Sequence, residues 1–216
     1  MAFLKAKHAA TVLKGTPAKN FLTIAASKGA AVVTTPSPIF KMKPADLVEH
    51  PTGGIVFGVI PPISAMNLNL TEGRVYVKVG QHFQGKGGQA SGHGILHIWH
   101  GKKVFLRKRG INSPDHLAAF IASLMALGTE IYHDANHPAA AKKRITLLRT
   151  VDGTLTLEPR KGDRVLGFHY SVVTWTPQPT PRGTKVGEIT VDWAKEKATL
   201  SGSPSDVTEA VVAAIL

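Results

Sequence analysis

The 216-residue sequence contains no cysteine. Disulfides and thiolate metal sites are therefore excluded, and the chain is indifferent to the redox state of its compartment. Acidic residues are also scarce, 14 against 26 Lys and Arg, which leaves a net charge of +12. No apolar run reaches the roughly 18 residues that a membrane-spanning helix needs, so no membrane partner is expected. The first fifteen residues, MAFLKAKHAATVLKG, carry scattered lysines and no clean apolar stretch before a small-residue cleavage site, so no signal peptide is expected. Low-complexity tracts are missing too, because the 21 Gly and 14 Pro are spread along the chain.

What is present is a globular composition, 43% hydrophobic and 19% charged. The positive excess is uneven: residues 71–110 hold eight Lys or Arg against the single Glu72. A compact protein this basic attracts polyanions, and nucleic acid is the default partner of such a patch. A virion or an anionic membrane surface is the other reading of the same charge.

The pattern of residues predicts an α+β fold, a small antiparallel sheet packed on one or two helices, with an N-terminal helical or irregular lobe (1–70) and a C-terminal extension (177–216) around a core at 71–176. Short helices are expected at 3–14 and 19–28 and a strand at 54–60. Arg74 to Val79 alternates with the two-residue period of a half-buried strand. The glycines between Gly80 and Gly94 predict a flexible loop, and Val104 to Leu106 is too short to assign. Ser113, Pro114 and Asp115 read as cap, first position and first-turn acid of a helix whose apolar residues Leu117, Phe120, Ile121, Leu124 and Leu127 recur at helical spacing before Gly128. Strands are expected at 145–148, 154–157 and 169–175, the first two joined by the turn signal Asp152-Gly153. Pro177, Pro179 and Pro181 read as a stiff linker to a further strand at 187–193 and a helix at 205–215.

Chemistry concentrates in Ser91-Gly92-His93-Gly94-Ile95-Leu96-His97-Ile98-Trp99-His100, where three imidazoles lie beside Lys102, Lys103, Arg107, Lys108 and Arg109. Histidine gives or takes a proton near neutrality. Two imidazoles and one or two cations suffice to cleave RNA, because the substrate's own 2′-hydroxyl is the nucleophile and the cations stabilise the phosphorane-like transition state. Neither a metal nor another cofactor is then required. His93, His97 and His100 would also fall on one helical face as a three-His zinc site, but the glycines oppose a helix and no HExxH acid is present. His169 could reach a site at the sheet's end, and Lys142, Lys143 and Arg144 could clamp phosphate or form a solvated basic face. His133 and His137 flank a loop.

The order of strand, Gly-rich turn, Gly94-Ile95-Leu96-His97-Ile98 with His100, helix, and strands ending in Tyr170-Ser171-Val172-Val173-Thr174-Trp175 resembles the barnase, EndoU, colicin and RelE-like nuclease superfamily, in its phage and polymorphic-toxin branch. The resemblance covers about residues 73–176. It implies a metal-independent endoribonuclease, a toxin or phage-borne effector acting in the cytoplasm and carried in a virion or exported. In it His97 is the principal catalytic histidine, Thr174 contacts the scissile phosphate, and His100 or His93 is the second acid or base; Tyr170 is expected to fix the phosphate together with Thr174. RNA, with tRNA as one candidate, is the expected partner, beside an immunity or antitoxin protein or a virion. The reading from another class is a basic, non-catalytic nucleic-acid-binding or virion structural protein.

Overall fold

A seven-stranded sheet with two helices is built mostly from residues that alternate between apolar and polar. The computed structural model describes residues 38–65, 68–85, 90–137, 140–151 and 153–193, all within a unit spanning Pro36–Leu216. A 3-10 turn at Pro38–Lys41 precedes β1 (Val56–Ile60), β2 (Ile63–Ala65), β3 (Leu68–Leu70) and β4 (Gly73–Tyr76). A hairpin of β5 (Gln81–Gln84) and β6 (Ala90–His93) leads into α1 (Gly94–Arg107) and α2 (Pro114–Ser123). Then follow β7 (Glu130–His133), β8 (Ile145–Thr150), β9 (Gly153–Asp163), β10 (Gly167–Thr176) and β11 (Thr184–Glu188).

The strands lie in the order β1-β4-β10-β9-β8-β7-β11, with β2–β3 and β5–β6 as separate two-stranded pairs. All neighbours in the large sheet are antiparallel except β4 and β10, which are parallel, so the sheet is mixed rather than wholly antiparallel. Ile63 of β2 packs on β11 at Gly187, which curls the two ends of the sheet toward each other. Strands on both sides of the expected boundaries at 70 and 176 pair into this one sheet. The helices expected at 3–14, 19–28 and 205–215 lie outside the described residues.

Cross-strand register sorts the side chains. Trp175, Leu155, Leu147 and Ile131 stand opposite one another on successive strands, as do Val172, Leu157 and Ile145. All are buried in the core shared with Ile95, Ile98 and Leu106 of α1 and Leu117 and Ile121 of α2, and Trp175 meets Phe120 of α2 edge-on at 5.6 Å. These rows therefore face the helices. A strand's neighbours along the chain point the other way.

Two expectations around the histidines are corrected. The segment from Gly80 to Gly94 is not simply a loop, since β5 and β6 pair from Gln81↔His93 to Gln84↔Ala90. Nor do the glycines oppose a helix: Gly94 is its first residue. Its φ of +79° and the close approach of the Lys78 carbonyl, into which a Cβ would run, make glycine the fitting residue there. Val104 to Leu106, unassigned from sequence, forms the last turn of α1. The second helix begins as expected, with the Ser113 hydroxyl accepting from the His116 amide at 3.2 Å.

Candidate functional site

The face of the sheet turned away from α1 and α2, helix-free among the described residues, is the polar one. Thr174, Thr156, Thr146 and Tyr132 form one row across β10, β9, β8 and β7. Further along, Ser171 stands opposite Glu158 and, on its other side, Tyr76, while His169 stands opposite Arg160. Glu158 is buried, at 4% exposure, and is held from both sides: Arg144 Nε donates to one carboxylate oxygen at 2.6 Å and Arg160 Nη1 lies 3.0 Å from the other. A buried carboxylate needs such partners. The same pairing fixes two guanidinium groups that line two different clefts.

The first, the threonine cleft, encloses about 310 Å³ between Thr146, Thr154, Thr156, Thr174, Arg144 and Arg182. The second, the histidine cleft, encloses about 410 Å³ and is lined by Lys78, His93, Arg160, Lys161, His169 and Ser171, with Asp163 as its acid. Burial, reinforced by Arg160 and Lys78, holds the His93 imidazole below the ordinary histidine value, with Glu158 pulling the other way. Its neutral form, the form that accepts a proton, is thereby favoured. His169 is 1% exposed. Its Nδ1 lies 3.1 Å from the Gly167 carbonyl, the Tyr76 ring meets it edge-on at 5.5 Å, and its Nε2 is buried with no hydrogen-bond partner. An orphaned nitrogen of that kind is costly until water or a ligand completes it.

His97 and His100 lie elsewhere. Both stand on α1 against His82 of β5, with ring centroids 5.4 and 5.7 Å from it and 3.3 Å between the Nδ1 atoms of His82 and His97. Burial and then His82 depress both, with Lys102 and His93 adding to the effect at His97 and Lys103 at His100, and a hydrogen bond with the Ser91 backbone partly offsets this for His97. Gly92 permits the packing, since a Cβ there would lie 2.8 Å from His97 Nδ1. These imidazoles join the hairpin to the helix and line neither cleft. His93 has an extended backbone, φ −157°, at the N-cap, so the three histidines do not follow one helical face. Among the described residues no three His, Asp or Glu are grouped so as to hold a metal ion.

The other expected residues divide similarly. Thr174 lines the threonine cleft. Tyr170 is fully buried among core residues, its hydroxyl donates to the Thr71 carbonyl at 2.8 Å, and burial pushes its phenol well above the usual range. It lines neither cleft. Lys102, Lys103, Arg107, Lys108 and Arg109 belong to the end of α1 and the turn after it, where Lys103 lies 5.6 Å over Trp99 and Arg109 5.3 Å over Trp175. Lys142 and Lys143 are exposed beside Arg144, the one of the eight expected RNA-binding cations that lines a cleft. Sequence reasoning missed Glu158, Arg160, Lys78, Lys161 and His82. The signal for the first two was the alternation Thr154-x-Thr156-x-Glu158-x-Arg160, which marks one polar face of a strand.

The chain matches no family model, no curated protein and no solved structure.

Proposed function

We propose that the protein is a metal-independent endoribonuclease that holds RNA along the helix-free face of its sheet and cuts it in the histidine cleft. One observation carries this reading: two imidazoles, His93 and His169, line one cleft with Lys78, Arg160 and Lys161. Proton acceptor, proton donor and cations are the parts that transesterification of RNA requires. His93, favoured in its neutral form, takes the proton from the 2′-hydroxyl. The 2′-oxygen attacks phosphorus, the bond to the 5′-oxygen breaks, and His169 Nε2 protonates that leaving oxygen, giving a 2′,3′-cyclic phosphate and a free 5′-hydroxyl. Arg160, Lys78 and Lys161 stabilise the added charge on the phosphoryl oxygens. In the adjoining threonine cleft, Thr174, Thr156, Arg144 and Arg182 offer hydroxyls and guanidinium groups to a neighbouring phosphate or ribose. With the resemblance stated above, a toxin or phage-borne effector acting on cytoplasmic RNA is the proposed setting.

The catalytic pair thus moves from His97 and His100 to His93 and His169. The test is incubation with total tRNA in EDTA. Cleavage to cyclic-phosphate ends, lost in His169→Ala and kept in His97→Ala, is the expected result. Intact tRNA at high protein concentration overturns it. The exposed Arg107 at the end of α1 and Lys108 just after it, which line neither cleft, favour a second reading, a non-catalytic nucleic-acid-binding protein, which predicts salt-sensitive binding with no turnover.

A further inference from the structure

Beside the histidine cleft, the same side of β4 opens into a larger cavity of about 610 Å³. Its walls include Arg74, Tyr76, Phe168 and Trp193, with Glu72 at its rim. Arg74 is exposed, Phe168 and Trp193 are half-buried and Tyr76 is buried, so a guanidinium and two partly open rings border the cavity in front of a third. Base-stacking platforms have that composition, because an aromatic or guanidinium plane accepts any nucleobase face. Trp193 adds a second, independent observation: its indole Nε1 is buried and has no hydrogen-bond partner. That N–H can only donate, so what completes it is an acceptor: water in the free protein, or a base carbonyl or ring nitrogen when one is bound. Glu72 can accept from the exocyclic amines of the same ring. The cavity falls within the size range of small-ligand sites.

Position ties it to the reaction. Tyr76 lines the cavity and also meets the His169 ring edge-on at 5.5 Å, so one side chain separates the two spaces.

We infer that this cavity is a nucleobase subsite, which receives the base next to the phosphate held in the histidine cleft and thereby restricts the protein to unpaired RNA. A base in a duplex is stacked and paired and cannot enter. The inference rests on the reading of the helix-free face as an RNA site, but it concerns binding and not turnover.

Fluorescence anisotropy of 5′-labelled hexaribonucleotides in EDTA tests it with the full chain carrying His169→Ala, compared with a hexamer containing abasic positions and with a 12-base-pair RNA duplex. Expected is about tenfold weaker binding of the intact hexamer by Arg74→Ala and by Trp193→Ala, the size a lost stacking contact gives. The abasic hexamer and the duplex should bind the variants and the parent alike. Trp193→Phe, which keeps an aromatic face and drops the N–H, should recover part of the loss, and unchanged melting of Arg74→Ala separates lost binding from lost folding. Equal affinity for intact and abasic hexamers, or a hexamer affinity unmoved in both variants, overturns the inference. Base-dependent binding by a protein whose wild type never cuts RNA would leave this subsite standing and remove the nuclease reading. Cutting with no base dependence would do the reverse.

Discussion

His93 and His97 are four residues apart, yet the fold gives them different surroundings. His93 ends β6 and faces Lys78, Arg160, Lys161 and His169 across an open cleft. His97, one helical turn into α1, faces His82 and sits over Gly92, and His100 joins the same stack. Both environments depress the imidazole, in each case chiefly through burial. What differs is the company. Three cations, Lys78, Arg160 and Lys161, line the cleft with His93, whereas His97 and His100 stack on His82 and feel Lys102 and Lys103 of their own helix. Histidine content alone does not separate the two settings; the neighbours supplied by the sheet do.

Substitution is the sharpest way to break this contrast. His169→Ala and His93→Ala should each lower kcat on RNA by about 10²–10⁴-fold, the range of a lost general acid or base, with melting temperature little changed for the less buried His93. His97→Ala and His100→Ala should leave kcat within about threefold and instead lower the melting temperature by about 2–4 °C, consistent with lost packing between α1 and the β5–β6 hairpin. The opposite ranking in an RNA-cleavage assay would return catalysis to the helix.

Glu158→Gln comes next in size. It removes the charge that holds Arg144 and Arg160, and it should cost about 1–3 kcal/mol in urea denaturation, below the full range for buried pairs because both arginines are partly exposed. RNA affinity should fall with it, as both clefts lose a positioned cation. Unchanged stability would mean that the ion-pair row is a surface feature only.

Acidification has a smaller effect with a definite sign. His93, His97 and His100 all titrate below the ordinary value of about 6.5 in the folded protein. The unfolded chain therefore binds more protons in acid, so the stability these groups contribute is present above pH 6.5 and lost as pH falls through the folded values. Melting temperature should drop between pH 7 and pH 5, and His97→Gln with His100→Gln should flatten that slope more than His93→Gln does. On the other limb, the acid-side apparent pKa of kcat/KM should lie below 6.5 and move with changes at Arg160 or Lys78. Smallest of all, Thr174→Val should weaken RNA cleavage by a few fold, through one lost hydroxyl in the threonine cleft.

Much of the architecture was readable from local signals. Ser113-Pro114-Asp115 marked the start of α2, and the 145–157 hairpin and the 169–175 strand were visible in alternation and turn residues. The region around Gly94 was not, because a glycine read as a helix breaker is there the residue that lets α1 start against the Lys78 carbonyl. β7 escaped notice because Glu130–His133 is short and gains its place from β8 and β11. For the site, His93, His169, Thr174 and Arg144 stand out in the sequence by residue type and neighbours, but so do His97, His100 and Tyr170, which line neither cleft. Glu158, Arg160, Lys78 and Lys161 do not, since what unites them is register between β9 and β10 and the closeness of β4, both non-local. A sequence window shows which residues are near in the chain. Cross-strand partners are set by pairing that no window contains.

The direct measurement is cleavage of total tRNA in EDTA by the wild type, His169→Ala and His97→Ala at equal concentration, with 2′,3′-cyclic phosphate ends scored. The account predicts cutting by wild type and His97→Ala and its loss in His169→Ala. Loss in His97→Ala with His169→Ala still active, or no cutting by any of the three, contradicts it.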